Sequence, residues 1–305
     1  MKKILYLYLL VTIFCFSNYN DFFDAASKFA LIPKLDENYV PQGLSNYNNW
    51  IIISYYSNKN KPSILAVLDK NTGNFIKHLE LYFSNGKPYK GHAGGVTVSK
   101  KYIWISSDYH IFKIPNDIIN SKGKINIIES IKIPVKGAFI QYYNDYIWVG
   151  EFYHFYDYLT NHKMINRNND EYNAWIIGFS LDKNENIKSL EKIFSIPDTV
   201  QDIEFIDNYI VLSRSYGRKN DSVLEFYLNE EKPHTTINFL NKKIPVWFLD
   251  NLVKKINILP MSEGITKIDN SLYILFESAA LKYIHSGKYP TKYIWKLDLE
   301  KLVNK

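Results

Sequence analysis

The stretch Gly94-Gly95-Val96-Thr97-Val98-Ser99-Lys100-Lys101-Tyr102-Ile103-Trp104-Ile105-Ser106 decides the fold. It reads as two short strands of β-branched and aromatic residues joined by a polar turn. Its second strand returns as Trp50-Ile51-Ile52-Ile53-Ser54, Tyr146-Ile147-Trp148-Val149-Gly150, Tyr209-Ile210-Val211-Leu212-Ser213 and Leu272-Tyr273-Ile274-Leu275-Phe276. Its opening returns as Gln42-Gly43-Leu44, Gly137-Ala138-Phe139, Gln201-Asp202-Ile203 and Glu263-Gly264-Ile265. The turns at 46–49, 144–145, 207–208 and 269–270 carry Asn and Asp, which tolerate the left-handed backbone of tight hairpins. Unit starts at Gln42, Gly94, Ala138, Gln201 and Glu263 lie roughly 44 to 63 residues apart, room for four strands and their loops. Five such units predict an all-β, five-bladed β-propeller. A two-sheet sandwich would not repeat one motif at this period.

Working outward, strand-like runs follow at 63–68, 74–82, 175–181, 189–196, 222–228 and 235–239. Residues 246–255, VWFLDNLVKK, show apolar spacing of a helical kind and predict a short helix between units four and five. Unit five runs out of chain after 292–297. Residues 28–35 are therefore expected to supply its outer strand and close the ring, Pro33 being suited to an edge. Residues 153–173 are too long for an ordinary connection and predict a lid at the channel mouth, leading into polar 166–170.

Composition narrows the function classes. A chain of 305 residues with 46% hydrophobic and 16% aromatic content can bury a core, so disorder is excluded. One Cys excludes a disulfide framework and a Cys-based zinc site. The formal charge of +6 is a mild excess without a basic stripe, so nucleic acid is not an expected partner. Met1-Lys2-Lys3 followed by ILYLYLLVTIFCF at 4–16 reads as a secretory signal. The expected organisation is a signal peptide at 1–18 and a single propeller domain at 19–305. The mature chain would be secreted or periplasmic, monomeric and free of a spanning helix. An uncleaved anchor and acylation at Cys15 are the alternatives.

In a propeller blade the first strand begins and the second strand ends on the same face. First-strand starts carry Gln42, His92, Gln201 and Glu263, and second-strand ends carry Asp108, Glu151, Arg218 and Glu277. The opposite-face turns carry only Asn, Asp and Lys. One channel mouth is therefore expected to gather acid, base and hydrogen-bonding groups, the usual mark of a ligand site. His92 with Glu151, Glu263 and Glu277 would supply general acid–base catalysis. Gln42, Asp108, Gln201 and Arg218 would bind the ligand, Arg218 fixing a carboxylate or phosphate. A His with several carboxylates is also a donor set for a divalent cation, although no local metal motif is present. Phosphate-loop, dinucleotide and G-x-S-x-G fingerprints are absent from the sequence. Each residue also has a plainer reading: the glycines and Gln side chains could serve blade packing, and the Glu residues could pair with cations between blades.

Val40-Pro41-Gln42-Gly43-Leu44, with Ser54, Ser63 and Asp69-Lys70-Asn71-Thr72-Gly73, resembles the first blade of the glutamine cyclotransferases. Those secreted five-bladed propellers begin with T-Q-G-L and continue with Y-E-S-T-G. Where that family carries Glu before the Ser, this chain has Ile53, which removes the carboxyl that the resemblance would assign to proton transfer. The wider set Pro-Gln-Gly, His-Ala-Gly-Gly, Ser-Tyr-Gly-Arg and Phe-Glu-Ser-Ala-Ala is similar to a group of secreted bacterial propellers. That similarity implies a fold and a compartment but no reaction. Three functions stay open: an exported hydrolase or cyclotransferase-like enzyme, a small-molecule or peptide-binding propeller, and a protein-interaction scaffold. The enzyme reading predicts hydrogen bonds between His92 and the carboxylates.

Overall fold

The computed structural model describes residues 19–303. The signal segment and Cys15 lie outside the described residues. Asn144 and Asp145 both take left-handed backbone angles, as do Asn48, Asp207 and Asp269, so the turns that punctuate the sequence are tight hairpins. Each hairpin joins an inner strand to its return. The pairs are Tyr39–Tyr47 with Trp50–Ser57, Val96–Val98 with Tyr102–Pro115, Glu129–Tyr143 with Tyr146–Glu151, Val200–Ile206 with Tyr209–Arg214, and Ser262–Ile268 with Ser271–Phe276.

Strand alternation then sends side chains to opposite faces of each sheet. Ile51 and Ile53 pack toward Tyr273 and Leu275, whereas Ile52 packs toward Val96, Ile103 and Ile105. The same division repeats through the chain. Five apolar clusters form among the described residues, each between two successive strand sets, including the last and the first. The inner strands touch in a closed circuit, Ser262–Ile268 lying beside both Val200–Ile206 and Tyr39–Tyr47. Glycine permits that closeness. A Cβ on Gly264 would sit 2.3 Å from the Leu44 nitrogen, and one on Gly43 would sit 2.4 Å from the Val96 nitrogen.

The outer edges depart from simple repetition. Glu129–Tyr143 serves two strand sets, pairing first with Tyr102–Pro115 and then with Tyr146–Glu151, so an eight-stranded sheet results. Gly123–Ile127 runs parallel to Phe75–Phe83 of the preceding set. Ala26–Leu31 pairs antiparallel with Tyr293–Asp298 at the edge of the final four-stranded sheet. This strand starts two residues before the expected segment and stops at Leu31, ahead of Pro33.

The expected helix at 246–255 does not form. Lys242–Phe248 is a strand lying parallel to Ile187–Ile196, and Leu252–Ile258 is the outer strand beside Ser222–Leu228. Two open sheet edges take up the two halves, and Asp250-Asn251 breaks the run between them. Among the described residues, no helix is long and apolar enough to cross a membrane.

Candidate functional site

Buried small residues fix the register of the second strands: Ser54, Ser106 and Ser213 are fully buried, and Gly150 stands at the equivalent place. Two positions later come Tyr56, Asp108, Phe152 and Ser215. All four line one cavity of about 590 Å³, well within the size of small-molecule sites. The inner-strand residue before the close-approach position is Gln42, Ala138, Gln201 or Glu263, and these line it too. His92, Arg218 and Glu277 complete the expected set on its wall.

Glu151 is the exception. It stands one position short of Phe152, so strand alternation turns it away from the cavity. It is 2% exposed; its Oε2 accepts a hydrogen bond from the Trp175 backbone nitrogen at 3.1 Å, and its Oε1 lies 3.4 Å from His162 Nε2. His162 stacks on the Trp175 indole at 3.8 Å. Arg214 holds the equivalent place in the next unit and pairs with the buried Glu225 at 2.8 Å. Both are packing positions, and Glu151 is not among the residues that line the cavity.

Glu263 and Glu277 form a hydrogen-bonded carboxyl pair at the cavity. Burial raises both, and repulsion from Glu277 and Asp202 raises Glu263 further, so both carboxyls hold protons more tightly than usual. Lys282 and Arg218 oppose the upward push on Glu277, as does the Gln42 amide 3.4 Å away. Asp202 lies near, accepting from the Ile265 and Ile203 backbone nitrogens at 2.8 and 2.9 Å, and its charge would raise Glu263 as well.

His92 behaves otherwise than expected. It stacks on the Tyr56 ring at 4.4 Å, and among the described residues no hydrogen bond joins it to a carboxylate. Desolvation by the surrounding protein outweighs the nearby Asp108 charge and lowers its pKa to about 4. At neutral pH it is an uncharged wall of the site and a weak base. The expected divalent-cation alternative also lacks its donor set: among the described residues no three His, Cys, Asp or Glu side chains are grouped to hold a metal ion.

The inner strands also carry a polar layer outside the cavity's lining. Thr97 Oγ1 donates to Gln141 Oε1 at 2.7 Å, and Gln141 Nε2 donates to Glu204 Oε1 at 3.0 Å. Glu204 Oε2 accepts from the Lys267 backbone nitrogen at 2.7 Å, and Asn46 Nδ2 donates to Thr266 Oγ1 at 3.0 Å. Burial raises Glu204 to about 7.

Sequence reasoning missed several wall residues, chiefly Tyr56, Lys136, Phe152, Tyr216, Lys282 and Tyr283. The offset that finds Asp108 also finds Tyr56 and Phe152. Lys282 and Tyr283 follow Glu277-Ser278-Ala279-Ala280 in a tight turn, with the Tyr283 nitrogen bonded to the Ala280 carbonyl at 2.8 Å. The 153–173 segment divides in two. Its near part brings Asp157 and Tyr158 to the cavity, Asp157 accepting from the Tyr216 hydroxyl at 2.7 Å while His154 stacks on Tyr216. Its far part, including 166–170, is tied elsewhere through Arg167 to Asp250 and Glu230.

No protein-family model matches the sequence, and no curated protein matches it. Solved structures do. The glutaminyl cyclase of Myxococcus xanthus superimposes over 90% of this chain and 96% of its own, at 9% identity and a TM-score of 0.50. CoXyl43, a GH43 β-xylosidase/α-arabinofuranosidase from a compost microbial metagenome solved with xylotriose, covers 90% of this chain and 94% of its own, at 10% identity and a TM-score of 0.50. At such identity the likeness is one of fold. The chain is all-β, with a β-propeller fold that resembles the cyclotransferase-like propellers.

Proposed function

We propose that this chain is an exported enzyme: a five-bladed propeller, closed by its N-terminal strand, that performs acyl chemistry in its axial cavity. The signal at 1–18 is removed and 19–305 is one domain. Five inter-sheet cores and the pairing of Ala26–Leu31 with Tyr293–Asp298 support the ring reading.

The observation that carries the activity is the Glu263–Glu277 pair, two interacting carboxyls that line one ligand-sized cavity and whose protons burial holds. Ionised Glu277 takes the proton from an attacking water or amine. Glu263 gives its proton to the leaving group, and transfer within the pair restores the starting state. The net reaction is hydrolysis or cyclisation at a carbonyl of a small molecule or peptide end. The family's first-unit carboxyl, replaced by the fully buried Ile53, has its functional counterpart in unit five.

The test uses the mature chain and a panel of N-terminal glutaminyl peptides, simple esters and amides. At least one compound should be turned over, Glu277→Gln should lower kcat by about 10²-fold or more, and kcat/KM should fall below pH about 7, where Glu277 gains its proton. Binding without any turnover would replace this reading with a non-catalytic ligand-binding propeller.

A further inference from the structure

Three cationic side chains line the cavity: Lys136, Arg218 and Lys282. Lys136 already has Asp108 at 4.0 Å. Arg218 and Lys282 differ. Among the described residues, neither is within ion-pairing distance of a carboxylate, and both are exposed to the cavity. They are nevertheless held in place. Lys282 Nζ donates to the Tyr56 hydroxyl at 2.8 Å and stands 4.9 Å from the centre of the Tyr283 ring. The Arg218 guanidinium lies 5.0 Å from the same ring centre and donates to Ser286 Oγ at 3.1 Å. Tyr56 and Tyr283 hydroxyls meet at 3.3 Å. Anchoring by ring faces and hydroxyls fixes where each cation sits without neutralising it, and leaves most of their N–H donors unused.

We propose that the cavity recognises its ligand by an anionic group, a carboxylate or a phosphate, recruited by Lys282 and Arg218 at the Tyr283 face. The proposal names the substrate class of the acid–base site above, and it rests on that reading only for the part Glu277 plays. Charge-assisted hydrogen bonds from these two cations are the strong contacts available to such a group. Lys282, Arg218, Glu263 and Glu277 line the same cavity, so an anion held by the two cations shares it with the carboxyl pair. The groups that face Glu277 are Glu263, Lys282, Arg218, Tyr283 and Tyr158. An arriving anion offsets the cationic support of ionised Glu277, so binding takes up a proton, and affinity weakens as pH rises through about 7.

The experiment measures thermal shift and calorimetric Kd on the mature chain with N-acetylglycine, succinate and glycerol 3-phosphate. N-acetylglycinamide and sodium chloride at equal ionic strength are the controls. A carboxylate or the phosphate should raise Tm where the amide and chloride do not, and which of them does so identifies the source. Lys282→Met and Arg218→Met, checked for unchanged Tm without anion, should each weaken Kd about tenfold or more. Glu277→Gln should keep the anion and lose turnover, which separates this proposal from the catalytic one. Equal response to the amide, no response to any anion, or wild-type affinity in both cation variants would overturn it.

Discussion

Glu277 and His92 share a cavity yet titrate in opposite senses, and the difference follows from which form burial penalises. Crowding by protein disfavours the charged form of each: it raises Glu277 to about 7 and pushes His92 down, although the His92 ring is exposed to the cavity and water damps the effect there. A carboxyl raised above its unfolded value of 4.5 contributes stability below that value and loses it as pH rises through about 7. Glu277→Gln should therefore match wild type near pH 4.5 and gain on it by about 1–3 kcal/mol at pH 8, read by denaturant unfolding at both pH values. His92 obeys the converse. Its ring is exposed to the cavity, so only a shallow loss of stability is expected as pH falls below 6.5, and His92→Gln should change the profile far less than Glu277→Gln does. The same scale shows what the sequence could tell. Connectivity places Gln42, His92, Asp108 and Glu263 at one mouth because strand direction alone decides it. Glu151 was misread because adjacent strand residues face opposite ways, and an ending counted without the Ser54, Ser106 and Ser213 register lands one residue off.

At the level of elements, hairpin turns and inner strands were legible because Asn, Asp and Gly carry local backbone instructions that survive packing. Residues 246–255 were not. Their helical spacing arises from two strands on either side of Asp250-Asn251, each claimed by a distant sheet edge that no local pattern announces. The cavity-facing turn of Lys282 and Tyr283 was hidden for a similar reason, since loop side chains have no periodicity to read. In the proposed ring the N-terminal strand has most at stake. Ala26–Leu31 covers the edge of Tyr293–Asp298, and the fully buried Phe22 ahead of it lies tilted against Trp295, ring centres 5.3 Å apart. Phe22→Ala should cost about 3–5 kcal/mol. A chain starting at residue 32 should lose more and melt at a clearly lower temperature, with weaker binding at Gln42, Glu263 and Glu277. Unchanged melting in the truncated chain would show that the strand closes nothing.

Across the whole molecule, acidic groups near the channel outweigh His92 and should set the pH profile of stability. Asp202, Glu204, Glu263 and Glu277 are all raised by burial, Glu204 and Glu277 to about 7 and the other two well above the usual carboxyl range. Between the unfolded carboxyl range and neutrality the folded chain therefore holds more protons than the unfolded one at these four sites. The slope of unfolding free energy against pH is then negative over that window, opposite to the usual case. His92 works against it below pH 6.5, but it is exposed to the cavity and supplies only one group. On the acid side the ordinary sign returns. Hydrogen bonds from Ser180, Ser189 and Tyr146 hold Glu191 at about 2, and Arg167 holds Glu230 at about 2, so their stabilisation disappears as pH falls from 4.5 through that value. The two slopes meet in mildly acidic solution. Melting temperature should peak near pH 5 and decline toward pH 8, and the Glu263→Gln, Glu277→Gln double variant should flatten the decline while leaving the acid limb in place. A wild-type profile that climbs from pH 5 to pH 8 would mean that these carboxyls are ionised and solvated, and the proton-holding pair on which the proposed chemistry depends would fall with them.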